Sequence, residues 1–490
     1  MRKRKILGFL FITISFLLGC KNESTDKANS DDSKPNLLYI FTDQHRRQAM
    51  GFLNEDPVYT PNIDFLAQNG VYFSKAVANH PLCSPYRAML FTGQYPLTNG
   101  VIANCHSGRT ADGNYLKKEA QTISDVVSQN GYNAGLVGKW HLEGPEPTNP
   151  GEPLVWSAWC PFDRRHGFDF WYASKGNDHF NPQYWNTYAL EDELQTVNQW
   201  SPEHEAEIIM EYLEGEGHAP RDINKPFALF WSINPPHNPF HIVPDRYKEF
   251  YKDRTYIDLL QRPNVSFVDN KDITVGDHGV EEKINGAPDY FAAVNGVDEQ
   301  IGRVIEKLKS LGLYDNTIIV FSSDHGEMLG SHGLMHKNIW FKEAYEIPLI
   351  VHWPQKLVPK TEDLLISVPD YMPTLLGLMG LEKSIPKEVE GSDYSQILFG
   401  QDMKRPDSQL YFGSEPSDPS SGKRGFRDDQ HTFAVVKNED GSKSYYLYND
   451  QKDPYQLENI WGRDQQIDQE VSLKLAEILT KRNDPWLEEK

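Results

Sequence analysis

The chain has 490 residues, 39% hydrophobic and 12% aromatic, which is enough for one large core and a smaller second unit. Its 49 Lys and Arg face 70 Asp and Glu, giving a formal net charge of −21 with no basic tract, and this argues against a nucleic-acid partner. An anionic substrate would therefore need cations gathered locally in a pocket.

Arg2, Lys3, Arg4 and Lys5 precede an apolar run from Ile6 to Leu18 that is short for a bilayer span. The run ends in Leu17-Leu18-Gly19-Cys20, which looks like a bacterial lipobox. Removal of signal peptide 1–19 would leave Cys20 as a lipid-modified N-terminus; the alternative is an ordinary secretory signal. Residues 20–35 are polar and read as a flexible tether. The expectation is an exported protein, lipid-anchored in the bacterial outer membrane on its periplasmic or cell-surface face.

Asn36 to Phe41 is a continuous apolar run, as in a strand buried on both faces of a parallel sheet. It runs into Thr42-Asp43-Gln44, at the carboxyl end where open α/β sheets place ligands. Asp43 offers a hard carboxylate and Gln44 a neutral carbonyl oxygen, with a turn-capping Asp43 as the structural alternative. Pro61 to Ala67 reads as an amphipathic helix with Ile63, Leu66 and Ala67 on one side, and Val71 to Ala76 as a strand. Next comes Cys83-Ser84-Pro85-Tyr86-Arg87, with Thr92-Gly93 further on. A helix beginning after Pro85 puts residue 83 near a helix N-terminus, where backbone N–H groups favour negative charge.

Gly131 to His141 has the pattern of a strand and a loop, ending Gly138-Lys139-Trp140-His141. Residues 142–225 show no strong period and are expected to be long loops over the sheet. Their aromatics, Trp156, Trp159, Trp171, Tyr184, Trp185 and Trp200, suit either sugar rings or satellite core. Phe227 to Ile233 is another buried strand and delivers Pro236-His237-Asn238-Pro239. The segment 290–311 reads as a helix with a stripe of Ile301, Val304, Ile305, Leu308 and Leu311, ended by Gly312. Asn316 to Phe321 is a strand leading into Ser323-Asp324-His325-Gly326-Glu327, with Lys337 shortly after. Residues 347–354 form a further strand, and Asp370 opens a helix. Beyond about residue 400 come short strands at 410–412, 432–436 and 444–448 and a closing helix near 470–482.

In this order, the Cys83-Pro85-Arg87 signature, Gly-Lys-Trp-His, Pro-His-x-Pro and Ser-Asp-His-Gly-Glu resemble the type I sulfatases of the alkaline phosphatase-like superfamily. The resemblance covers roughly residues 35–465. It implies an α/β fold with a large, mostly parallel mixed sheet between helices, in a catalytic domain 36–400. It also implies a small antiparallel sheet with a helix in a C-terminal subdomain 401–490. In that family the cysteine is oxidised to Cα-formylglycine (3-oxoalanine) by a formylglycine-generating or sulfatase-maturating enzyme, and the aldehyde hydrate is the nucleophile. Carried onto this chain, Asp43, Gln44, residue 83, Asp324 and His325 would surround one Ca2+, with His325 as ligand or as its orienter. Lys139 and Lys337 would contact the sulfate, His141 the hydrate, and His237 the leaving oxygen. Arg87 would add positive charge near both. Two positions depart from the pattern: Gln44 stands where the family usually has a second aspartate, and Tyr86 replaces the usual serine.

The implied activity is sulfate removal from a sulfated carbohydrate, either an algal polymer such as ulvan, carrageenan or fucan, or a glycosaminoglycan. The alternatives are a phosphonate or phosphodiester hydrolase of the same superfamily and an inactive carbohydrate-binding lipoprotein. Cys105 and Cys160 are open between a disulfide and two buried thiols.

Overall fold

The computed structural model describes residues 33–149, 151–273, 275–438 and 441–487. The stretch expected to be a signal peptide, Cys20 and most of the expected tether lie outside the described residues. From Pro35 onward the chain is one compact unit. Among the described residues no helix is long and apolar enough to cross a membrane.

Ten strands form the large sheet: β1 (Asn36–Asp43), β2 (Val71–Phe73), β3 (Asn133–Lys139), β4 (Phe170–Lys175), β5 (Gln183–Trp185), β6 (Gln195–Thr196), β7 (Phe227–Pro236), β8 (Thr317–Ser323), β9 (Leu349–His352) and β10 (Lys360–Glu362). Their spatial order is β10-β2-β9-β8-β1-β7-β3-β4-β5-β6. The central run β8-β1-β7-β3-β4 is parallel, and antiparallel pairs flank it on both sides. Helices cover both faces, which is why the central strands are apolar throughout. On β1, Leu37, Tyr39 and Phe41 join one core layer while Leu38 and Ile40 join the other. The first layer takes in helices Cys83–Thr92, Ile123–Gln129 and Tyr371–Leu378. The second takes in Pro61–Gln68, Ser201–Glu214 and Ala287–Ser310.

The second sheet is the antiparallel β11 (Gln409–Glu415), β12 (Asp418–Arg427), β13 (His431–Lys437) and β14 (Lys443–Asn449). One of its faces packs on Trp340, Phe341 and Tyr345 of the main body, and the other on the closing helix Gln465–Thr480.

The expected fold class is the observed one, with local differences. The stretch 142–225 is not all loop: Ser201–Glu214 is a helix, with Ala206, Ile209, Tyr212 and Leu213 buried. Strand β12 was not expected, because its sequence DPSSGKRGFR has no apolar alternation; pairing with β11 and β13 on either side holds it. Strand β2 is three residues long and stops short of Ala76. Leu311 falls just past the end of its helix and is exposed.

Candidate active site

β1, β7, β3 and β8 run parallel, so their carboxyl ends meet at one edge of the sheet. That edge carries Asp43, Lys139, His237 and Asp324. β3 can end against β7 because residue 138 is glycine. Its φ is 97°, and a Cβ there would lie 2.1 Å from the Ser232 carbonyl oxygen.

Cys83 is the first residue of helix Cys83–Thr92, which begins three residues earlier than a start after Pro85. The thiol is buried, 3.5 Å from Asp43 Oδ1, 3.4 Å from His325 Nε2 and 3.3 Å from Lys337 Nζ. Burial and Asp43 oppose its ionisation, but Lys337, Lys139 and His325 outweigh them and hold it well below the ordinary thiol value. In a matured protein the sulfur would give way to the two oxygens of an aldehyde hydrate carried on Cβ, so Sγ stands in for one of those oxygens.

Asp43, Cys83, Asp324 and His325 bring one ligand atom each within 4.8 Å of one another, all buried. Burial and the neighbouring Asp43 charge push Asp324 up to about 7. Against its own burial, His325 is raised to about 9, chiefly by Asp324. Asp43 stays well below the carboxylate range: burial would raise it, but Lys139, His237, Lys337 and His325 prevail. The upward shifts of Asp324 and His325 go with a donor set rich in negative charge, and two carboxylate oxygens with a carbonyl nearby suit a hard divalent cation.

Gln44 is at the site's edge with φ 72°. Its N–H donates to Asp324 Oδ1 at 3.1 Å, and its Nε2 donates to Glu327 Oε2 at 2.5 Å. Glu327 thereby fixes the amide, leaving Oε1 to accept from Lys337 Nζ at 2.8 Å. A Gln in place of a second aspartate is thus oriented by an acid from the Ser-Asp-His-Gly-Glu stretch.

Arg87 is completely buried, and its positive charge faces the site carboxylates. Its Nη1 donates to the Lys139 carbonyl at 2.6 Å and Ser232 Oγ at 2.5 Å. Its Nη2 reaches Asp43 Oδ2 at 3.3 Å and Asp324 Oδ2 at 3.2 Å, with the guanidinium over the Phe41 ring. It holds the two carboxylates from behind. The cations nearer the open side are Lys139, 2.7 Å from Asp43 Oδ2, and Lys337.

His141 has Nε2 donating to the Cys105 carbonyl at 3.1 Å, so the neutral ring keeps its lone pair on Nδ1. That Nδ1 is buried without a hydrogen-bond partner, and the Cys83 thiol interacts with the ring. Burial, with Lys139 and Arg87, lowers His141, which keeps it neutral near pH 7. His237 donates Nδ1–H to the Asn238 carbonyl at 2.7 Å and points Nε2 toward Asp43 Oδ1 at 4.0 Å. Burial and Lys337 lower it to about 4. A sulfate ester in the site adds negative charge beside it and works in the opposite direction.

The sequence reading missed Ser232, Asn234, His179 and Glu327. Asn234 Oδ1 accepts from Lys139 Nζ at 3.4 Å, and its Nδ2 reaches Asn177 and His179. The signal available for Asn234 was a polar residue at the end of an apolar strand. Cys105 and Cys160 are both free and buried, and burial pushes the Cys105 thiol up to about 12. His332 stacks on Phe341, as a structural histidine.

A family model described as Sulfatase matches residues 35–381, and one described as N-sulphoglucosamine sulphohydrolase, C-terminal, matches residues 330–484. The chain is 36% identical over 519 residues to an endo-4-O-sulfatase of Bacteroides thetaiotaomicron, covering 98% of each chain. It is 32% identical over 484 residues to an ulvan-active sulfatase of Formosa agariphila, covering 95% of this chain and 86% of that one. A solved structure concerned with metabolism of multiple glycosaminoglycans by Bacteroides thetaiotaomicron superposes with a TM-score of 0.84 at 36% identity, covering 93% of this chain and 98% of that one.

Proposed function

Because the chain belongs to the sulfatase family and is a sulfuric ester hydrolase, we propose that it removes sulfate from a sulfated polysaccharide or oligosaccharide, using Cα-formylglycine at residue 83 and one calcium ion. The observation that carries this reading is the unpartnered Nδ1 of a neutral His141 beside Cys83, under the cations of Lys139 and Lys337. An unmodified thiol would have no need of a base, because Lys337, Lys139 and His325 already favour its thiolate.

Asp43, Asp324, the Gln44 carbonyl and His325, as ligand or orienter, would hold the calcium, with residue 83 completing the set. Bound there, it would supply positive charge that balances the carboxylates and makes the hydroxyls of residue 83 more acidic. The aldehyde hydrate would supply two geminal hydroxyls, one to attack sulfur and one to release sulfate afterwards. Lys139 and Lys337 bind the sulfate oxygens and offset charge that builds on them. His141 Nδ1 accepts a proton from residue 83. His237, charged by the anionic ester beside it, gives a proton to the departing alcohol oxygen. Arg87 keeps Asp43 and Asp324 in register and is a positioning residue.

The relatives' names span an ulvan-active enzyme and an endo-4-O-sulfatase. Algal polymers such as ulvan, carrageenan and fucan, together with glycosaminoglycans, are accordingly the substrates to test. Export and acylation of Cys20 would place the enzyme at the bacterial envelope, where such polymers arrive. After co-expression with a maturase, sulfate release from defined oligosaccharides of these classes should be seen, with little turnover of an aryl phosphodiester or phosphonate. Faster phosphodiester turnover would overturn the substrate assignment. Partition of the native protein with membranes, lost in Cys20→Ala, tests the anchor; an unmodified soluble mature form would contradict it.

A further inference from the structure

Long loops rich in aromatics lie near the site, and the structure separates their roles. Trp171, Trp185, Trp200 and Tyr184 are buried core, and the half-buried Trp159 donates Nε1–H to the Ala189 carbonyl at 3.0 Å. Trp156 is different, with 47% of its surface exposed. Leu154 and Val155 just before it are exposed as well, and a contiguous apolar stretch left in water forgoes burial free energy; surfaces of this kind mark binding sites.

Trp156 is also held in place. Val155 exchanges two hydrogen bonds with Ser107, its carbonyl accepting from Ser107 N at 2.9 Å and its N–H donating to Ser107 Oγ at 3.0 Å. On the other side, Ser157 Oγ accepts from Gly176 N at 3.4 Å. Both partner loops reach the site. The first contains Cys105, whose carbonyl accepts from His141. The second contains Asn177 and His179, which contact Asn234 beside Lys139. The Trp156 ring packs on the imidazole of His106 with ring centres 4.7 Å apart, and His106 directly follows Cys105, whose carbonyl accepts from His141. A fixed aromatic face thus stands one side chain away from the histidine that faces residue 83.

We propose that Trp156, backed by His106, is a stacking platform for a pyranose ring of the carbohydrate, outside the sulfate-binding cations. An aromatic face matches the apolar C–H face of a sugar, and the clamped loop gives that contact at little ordering cost. The proposal rests on the sulfatase reading for the identity of the ligand, and it concerns glycan recognition rather than the reacting atoms.

Binding is measured in the Cys83→Ala protein, which does not turn over, by calorimetry with ulvan, carrageenan, fucan and chondroitin sulfate oligosaccharides. Adding Trp156→Ala is expected to weaken the tightest of these roughly fivefold to tenfold, and Trp156→Tyr to restore most of the affinity. In matured enzyme with Cys83 intact, Trp156→Ala should lower kcat/KM for that oligosaccharide by a similar factor, chiefly through KM. Turnover of a small aryl sulfate should stay at the wild-type level. Equal affinity with and without Trp156, binding of none of the probes, or an equal loss on the aryl sulfate would overturn the platform. If matured wild type hydrolyses no sulfate ester while binding still depends on Trp156, the sulfatase reading fails and the platform stands.

Discussion

Glu205 offers a test of the scaffold beneath the site. It lies on helix Ser201–Glu214 and is fully buried, with Oε1 accepting from Tyr184 O–H at 3.0 Å and Oε2 from Trp231 Nε1–H at 2.9 Å. No cation is among these partners, and burial raises the carboxyl from 4.5 to about 8. Below the unfolded value both folded and unfolded chains carry the proton, and the group costs nothing. As pH rises from about 4.5 towards 8 the unfolded chain ionises freely while the folded one resists, so stability falls across that window. A gap of roughly 3.5 units corresponds to at most about 5 kcal/mol. With the higher effective dielectric of real interiors, about 2 kcal/mol is a fair expectation. Glu205→Gln keeps the shape, accepts from Trp231 and donates to the Tyr184 oxygen. Its thermal unfolding should match wild type near pH 5 and exceed it increasingly towards about pH 8.5. Parallel stability curves for the two proteins over that range would refute the reasoning.

Asp324→Ala should abolish turnover while leaving circular dichroism unchanged, and chelation of wild type should do the same with recovery on adding calcium; full activity in the variant would contradict the assignment. Gly138→Ala would press a Cβ against the Ser232 carbonyl at 2.1 Å, and should cost about 2 kcal/mol or more in denaturant unfolding along with activity. Arg87→Lys keeps the charge but cannot hold two carboxylates, a carbonyl and a hydroxyl at once. It should lose stability by about 3 kcal/mol and most of the activity, and a wild-type melting temperature would show that the fork is unnecessary.

Much of the site was legible because strand ends announce themselves. The apolar runs before Asp43, His237 and Asp324 are continuous and stop abruptly at polar residues, and those ends do converge. The helix at 201–214 was hidden because the surrounding stretch is rich in Trp, Pro and Asn, although within it Ala206, Ile209 and Leu213 carry helical spacing. Glu205 was hidden with it. β12 had no local signal at all, since its strand state depends on neighbours on both sides. Arg87 read as a positive charge near the sulfate and the hydrate, but sequence gives charge and not the partners it holds. Its partners Asp43 and Asp324 come from strands β1 and β8, far apart in the chain and joined only by the sheet. The link from Gln44 to Glu327 is likewise tertiary, across 283 positions of sequence.

The central claim is that residue 83 works as an aldehyde hydrate and not as a cysteine. Attack by a thiolate would leave a sulfur-bound sulfate with no second hydroxyl to expel it. The decisive measurement is the mass of the peptide carrying residue 83, taken beside sulfate release, across preparations made with graded amounts of maturase. Activity should rise in proportion to the aldehyde fraction and approach zero where the thiol is intact, while Cys105→Ser and Cys160→Ser leave that line unchanged. If protein whose Cys83 is wholly unmodified releases sulfate as fast as matured protein, the account of His141, Lys139, Lys337 and the cation site is wrong.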